Sequence, residues 1–139
     1  MSKRFFETTI WTQNQWFRKL KPTTKLFWFY LIGNCDNVGV WEEDWDLASF
    51  IIGEPLKPGE IYKDLNGKIE PISHKKIWIR DFCDFQYKEL NEQTADNPRK
   101  SYIALLKKHG LWQEYLNPLA GAHRILQAPK EQDKEQEED

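Results

Sequence analysis

Cysteine is scarce in this 139-residue chain. Cys35 and Cys83 are the only two, and they stand far apart in apolar surroundings. That argues against a disulfide scaffold and against a zinc site of the paired-cysteine kind. Two buried free thiols are expected instead. Histidine is nearly as rare: His74, His109 and His123 show no metal-ligand spacing. There is no glycine-rich phosphate loop and no nucleophile elbow, and Ser49 and Ser101 have no identifiable base. No catalytic centre, metal site or cofactor is therefore expected. Long apolar runs are also missing, none approaching the ~18 residues of a membrane span. The start Met1-Ser2-Lys3-Arg4-Phe5-Phe6-Glu7 lacks the apolar stretch of a signal peptide. The expectation is a cytoplasmic protein with no membrane partner.

Aromatic side chains are plentiful: seven Trp, five Tyr and eight Phe. They allow a real core in a chain whose length suits one domain. The net charge is only −2, but it is segregated in blocks. Residues 1–30 carry +5, residues 36–54 carry −6 with no Lys or Arg, and residues 55–80 carry +3. Residues 81–98 carry −4, residues 99–110 carry +4, and the last thirteen carry −4. Blocks of this kind fold into faces of opposite sign, and a basic face on a neutral body still attracts phosphate.

The tail separates first. From Gln127 the sequence reads QAPKEQDKEQEED, too polar to offset its own ordering entropy. Residues 117–139 are expected to be a disordered charged tail or linker, leaving residues 1–116 as the domain. Within it, Gln13 to Leu20 reads as a short helix capped by Asn14, with Trp16, Phe17 and Leu20 on one face. Pro22 suits the first turn of a second helix reaching about Asn34. That helix is apolar nearly all round and therefore central. Cys35-Asp36-Asn37-Val38-Gly39 stops it. A short strand at Val40-Trp41 follows. Glu42-Glu43-Asp44 then leads a helix ended by Gly53 and Pro55, the acids being favoured by its dipole. Pro58 to Gly67 reads as the next helix, with Ile61 and Leu65 facing inward. Strands at about 68–72 and 76–80 flank the basic turn Ser73-His74-Lys75. Phe82, Phe85 and Tyr87 continue in extended or irregular form. Asn97-Pro98 starts a last helix lined by Tyr102, Leu105, Leu106 and His109, with Gly110 closing it.

This order predicts an α+β fold: a winged helix, meaning a helix-turn-helix with a two-stranded β-hairpin wing, plus flanking helices. A helix-rich fold without the hairpin accounts poorly for the β-branched and aromatic run Ile77-Trp78-Ile79. Several runs also resemble a known family. They are Trp16-Phe17-Arg18-Lys19-Leu20, Lys25-Leu26-Phe27-Trp28, Asn34-Cys35-Asp36-Asn37-Val38-Gly39-Val40-Trp41 and Asp46-Leu47-Ala48-Ser49-Phe50. Phe82-Cys83-Asp84-Phe85-Gln86-Tyr87 and Lys107-Lys108-His109-Gly110-Leu111 extend the match. Together they resemble the N-terminal domain of phage and prophage replication-initiation proteins, the replisome organisers, over about residues 3–112. The charged tail resembles the linker that follows that domain. The resemblance implies a winged helix that binds origin DNA or helps bring the replicative helicase to it.

On this expectation the third helix offers Lys57, Lys63 and Asn66 to the major groove, where Asn reads adenine and Lys reads guanine or touches phosphate. The wing offers Lys68, His74, Lys75 and Lys76 to the backbone. Both sets also make sense as ordinary solvated faces, and lysines protect strand edges. Lys3 and Arg4 form either an arm or a solvated start. Arg99, Lys100, Lys107 and Lys108 either extend a DNA surface or simply suit a helix. The expected partner is double-stranded DNA, with a helicase loader or replicative helicase as a protein partner. The alternative is a protein-interaction or dimerisation adaptor with no direct DNA binding, its acidic block at 42–46 facing a basic partner. A homodimer is compatible with either.

Overall fold

Pro22 opens the longest helix because its fixed φ and missing N–H suit a first turn. The computed structural model describes residues 3–73 and 75–117. In it Pro22–Asn34 is a helix (α3) that buries Thr24, Phe27, Trp28 and Leu31. Two one-turn helices precede it, Ile10–Gln13 (α1) and Gln15–Arg18 (α2). The single helix expected over 13–20 is thus broken at Asn14. Asn14 makes no capping bond; its side chain donates instead to Glu7 Oε1 at 3.2 Å. Its extended backbone breaks the helical run, although Trp16, Phe17 and Leu20 still turn toward α3.

The chain then reverses through a tight turn. Asp36 Oδ1 accepts from the N–H groups of Val38 (2.9 Å) and Val40 (3.0 Å). Gly39 sits at φ 90°, where a Cβ would lie 2.6 Å from Phe82 Cβ. Val40–Glu42 (β1) emerges from this turn. Trp45–Ile52 (α4) follows, capped by Asp44, whose side chain accepts from Leu47 N–H at 3.1 Å. Gly53 ends α4 in the left-handed conformation. Leu56 N–H donates to Ser49 Oγ at 3.0 Å, fixing the connection to Pro58–Asp64 (α5).

Ile69–Pro71 (β2) and Lys76–Ile79 (β3) pair antiparallel, and β1 pairs antiparallel with β3. The sheet is three-stranded in the order β1-β3-β2. Alternation along β3 divides the core. Ile77 and Ile79 join Phe17, Phe27, Leu31, Ile61 and Leu65 on one face. Trp78 joins Val38, Val40, Ile103, Leu106 and Trp112 on the other. The second cluster is built by Phe82–Tyr87 (α6), Asn97–Lys108 (α7) and Trp112–Leu116 (α8). Residues 82–87 were expected to be extended or irregular, and α8 was not foreseen. The molecule is a mixed α+β fold with helices on both faces of a small antiparallel sheet. From residue 118 onward the expected tail lies outside the described residues.

Two glycines provide a test. Both Gly39 and Gly53 have positive φ, but nothing lies within 4 Å of a Cβ at Gly53. Gly53→Ala should lower stability by about 1–2 kcal/mol, the left-handed penalty alone. Gly39→Ala should lose about 2–5 kcal/mol, because the contact with Phe82 adds an overpacking cost. Urea unfolding of both variants measures the difference. Equal losses would mean that Phe82 is free to give way.

Candidate nucleic-acid interface

Helix α5 carries two acids, Glu60 and Asp64, and one lysine, Lys63, with Lys57 at its N-cap, so its net field depends on which charges pair. Lys21, just ahead of α3, approaches both acids: Nζ lies 2.9 Å from Asp64 Oδ2 and 3.5 Å from Glu60 Oε1. Asp64 Oδ2 also accepts from Thr24 Oγ1 at 2.9 Å. The hydrogen bond to Asp64 raises the pKa of Lys21, which stays a cation at neutral pH. Glu60 additionally lies 4.0 Å from Lys57 Nζ. Lys63, in the last turn, is exposed and makes no ion pair among the described residues. The carboxylates of α5 are therefore drawn to its α3 side while Lys63 projects free. Arg18 and Lys19 stand exposed three and two positions ahead of Lys21. Five cations thus accompany two acids in this region. The +5 block at residues 1–30 carried a hint of this surface, but nothing in the spacing showed that Lys21 would reach α5.

Asn66 does not belong to α5. α5 stops at Asp64, Leu65 is its C-cap, and Asn66 sits in the turn to β2, bridged to Ile69. The turn around Gly67, at φ 86°, draws the chain off the helix axis three residues earlier than the sequence suggested. Lys68 likewise does not join the wing tip. Its carbonyl accepts from Arg80 N–H at 3.1 Å, at the end of the hairpin away from residues 73–75. Its Nζ lies 4.5 Å from the Trp16 ring centroid, a cation–π contact that holds it half-buried.

The wing tip meets acids. Lys75 is exposed, at φ 57°, and its carbonyl accepts from Glu43 N–H at 2.7 Å. Lys76 pairs in register with Glu42. Glu42, Glu43, Asp44 and Lys75 border one groove of about 590 Å³. The tip's positive charge is therefore offset locally, within the ~8 Å over which exposed charges act at physiological salt. His74 lies outside the described residues. Glu43 has a further structural duty, accepting from Trp45 Nε1 (2.7 Å) and Tyr62 OH (3.1 Å) and so tying α4 to α5. Burial and that carboxylate raise the Tyr62 phenol's pKa.

The remaining cations divide. Arg4 is neither an arm nor a solvated end, because its Nη2 donates to the Cys35 (3.1 Å) and Asp36 (3.3 Å) carbonyls and its guanidinium lies 5.3 Å from the Phe82 centroid. Lys3 is exposed. Arg99 pairs with Asp96 at 2.9 Å and Lys107 with Glu92 at 2.6 Å, whereas Lys100 and Lys108 are exposed without ion pairs among the described residues. No three His, Cys, Asp or Glu side chains converge as metal ligands among the described residues. No helix among them is long and apolar enough to cross a membrane. Compared with family models, curated proteins and solved structures, the chain matches none.

Both thiols are buried and free. Burial pushes Cys35 and Cys83 up to about 12, so neither is a thiolate at neutral pH. Iodoacetamide at about pH 8, near the ordinary thiol pKa, should leave the folded protein unmodified and add two carbamidomethyl groups in urea, as read by intact mass. Rapid labelling of the folded chain would contradict this burial.

Proposed function

We propose that this chain is a winged-helix domain of the phage replication-initiation type that binds duplex DNA, with α5 in the major groove. The order α3-β1-α4-α5-β2-β3, with β1 laid beside β3, is compatible with a winged helix. The short connection from Gly53 to Lys57 supports the helix-turn-helix. The observation that carries the DNA reading is the capture of Glu60 and Asp64 by Lys21. Without it the carboxylates of α5 would oppose the phosphates. With it, Lys57 and Lys63 become the exposed charges that meet the duplex, and Arg18, Lys19 and Lys21 extend the same sign behind them. The wing contributes less than its lysines suggest, because Glu42 and Glu43 lie against it. Replication initiation itself, and recruitment of a helicase or its loader, rest on the resemblance of the sequence runs. A cytoplasmic location follows from the same reading.

The test is fluorescence anisotropy of a labelled random duplex with the full chain, from about 50 to 200 mM salt. The wild type should bind with a steep negative log–log salt slope. Lys63→Ala should weaken binding to all duplexes alike and reduce the slope by about one. Lys21→Met should cost more than Lys63→Ala, because it removes a cation and also releases two carboxylates. Joint replacement of Lys75 and Lys76 by Ala should matter less than either. Loss of binding with the Lys75/Lys76 pair but not with Lys63 or Lys21 would transfer the contact to the wing. Absence of binding at about 50 mM salt would remove the DNA reading altogether.

A further inference from the structure

Among the described residues the most exposed large apolar side chain lies on α4. Phe50 is 82% exposed, Ile51 57% and Leu47 47%. Their i, i+3, i+4 spacing sets them on one helix face, while Ala48, about 100° round the helix from Leu47, is fully buried. Three large side chains left in water on one short helix form a contiguous strip rather than the scattered exposure of an ordinary surface. Acids rim it: Glu42, Asp44, Asp46 and Glu54 are all exposed, and residues 36–54 contain no Lys or Arg. At the Leu47 end the strip runs into the groove of about 590 Å³, where Tyr30 and Trp41 lie beside Glu42, Glu43 and Asp44. Glu43 is committed to Trp45 and Tyr62, but among the described residues no hydrogen bond occupies the Glu42 carboxylate. Among the described residues Lys75 is the one cation that borders this groove.

We infer that the outer face of α4 docks a basic amphipathic helix from a partner protein. Apolar side chains of that helix cover Leu47, Phe50 and Ile51, and its Lys or Arg side chains meet Glu42, Asp44 and Asp46 and the aromatic groove. The charge selects this occupant. Phosphate and anionic lipid are repelled by the rim. A second copy docked face to face would set carboxylate against carboxylate. This docking does not depend on DNA binding, and the two rest on different residues.

The probe is a labelled amphipathic helical peptide built from Leu and Lys, with a Leu/Glu peptide of the same length as its counterpart. The full chain should bind the Leu/Lys peptide and not the Leu/Glu one, and backbone amide shifts should move mainly within residues 42–51. Phe50→Ser touches an exposed position, so the fold should be kept while affinity falls roughly tenfold or more. Joint Glu42→Gln and Asp46→Asn substitution should weaken binding and flatten its salt dependence. Leu116→Ser, an exposed apolar control elsewhere, should change nothing. Equal binding of both peptides, or of wild type and Phe50→Ser, would overturn the inference. So would sedimentation showing a dimer that Phe50→Ser splits, because the occupant would then be a second copy.

Discussion

The turn between α3 and β1 is the knot on which this structure depends. Asp36 Oδ1 accepts two backbone N–H groups within the turn, and Oδ2 lies 2.8 Å from His109 Nε2 at the end of α7. The carbonyls of the same turn are taken by more distant elements. Arg4 reaches Cys35 and Asp36, Tyr87 OH reaches Asn37 at 2.6 Å, and Trp78 Nε1 reaches Val38 at 3.2 Å. Ile79 N–H reaches Gly39 at 2.9 Å. Hydrogen bonds to a charged group contribute ~1.5–3 kcal/mol each, against a whole-domain stability of ~5–15 kcal/mol. One carboxylate therefore holds a large share of the margin. It also sets where β1 leaves α3, and with it the register that brings Glu42 against Lys76.

That register decides what the surface can do. β3 is covered on both faces, by Phe27, Leu31, Ile61 and Leu65 on one side and Ile103, Leu106 and Trp112 on the other. The sheet faces are thus spent on packing. The buried pair of Arg80 and Glu70, 2.7 Å apart, adds to the cover on the Trp78 side. The outside of α4, the outside of α5 and the hairpin tip are among the surfaces left for partners. α7 and α8 behind the sheet close the second core cluster around Trp78.

Much of the fold was legible in the sequence because its punctuation is strong. Pro22 and Pro58 at helix starts, Gly53 and Gly110 at helix ends, and the Asp36-to-Gly39 turn all act through local backbone preference, and all stand where the sequence placed them. What was missed depends on contacts between distant segments. Whether Phe82–Tyr87 is helical is decided by Phe82 and Cys83 burying against the sheet, not by propensity. Asn66 looked helical because a stop at Gly67 does not reveal how early the cap begins. Lys68 and the wing lysines looked like one cluster, but a hairpin sends its two ends apart. Trp16 decides the environment of Lys68, and Glu42 decides that of Lys76, and neither pairing follows from spacing along the chain.

The charge blocks, by contrast, fold into surfaces almost as they are written. Between Glu54 and Lys57 the sign of the chain changes, and that short connection joins α4 to α5. The acidic block ends on the helix with the bare apolar strip. Of the basic residues that follow, Lys57 caps and Lys63 lies on the helix whose two acids Lys21 approaches from outside. The small net charge of −2 therefore conceals opposed faces rather than an absence of field. Salt weakens attraction at either face, so ionic strength alone does not say which one a ligand occupies. Apolar contact does: phosphate gains nothing from Phe50, whereas a protein helix does. The two faces are separable by chemistry even though they sit on consecutive helices.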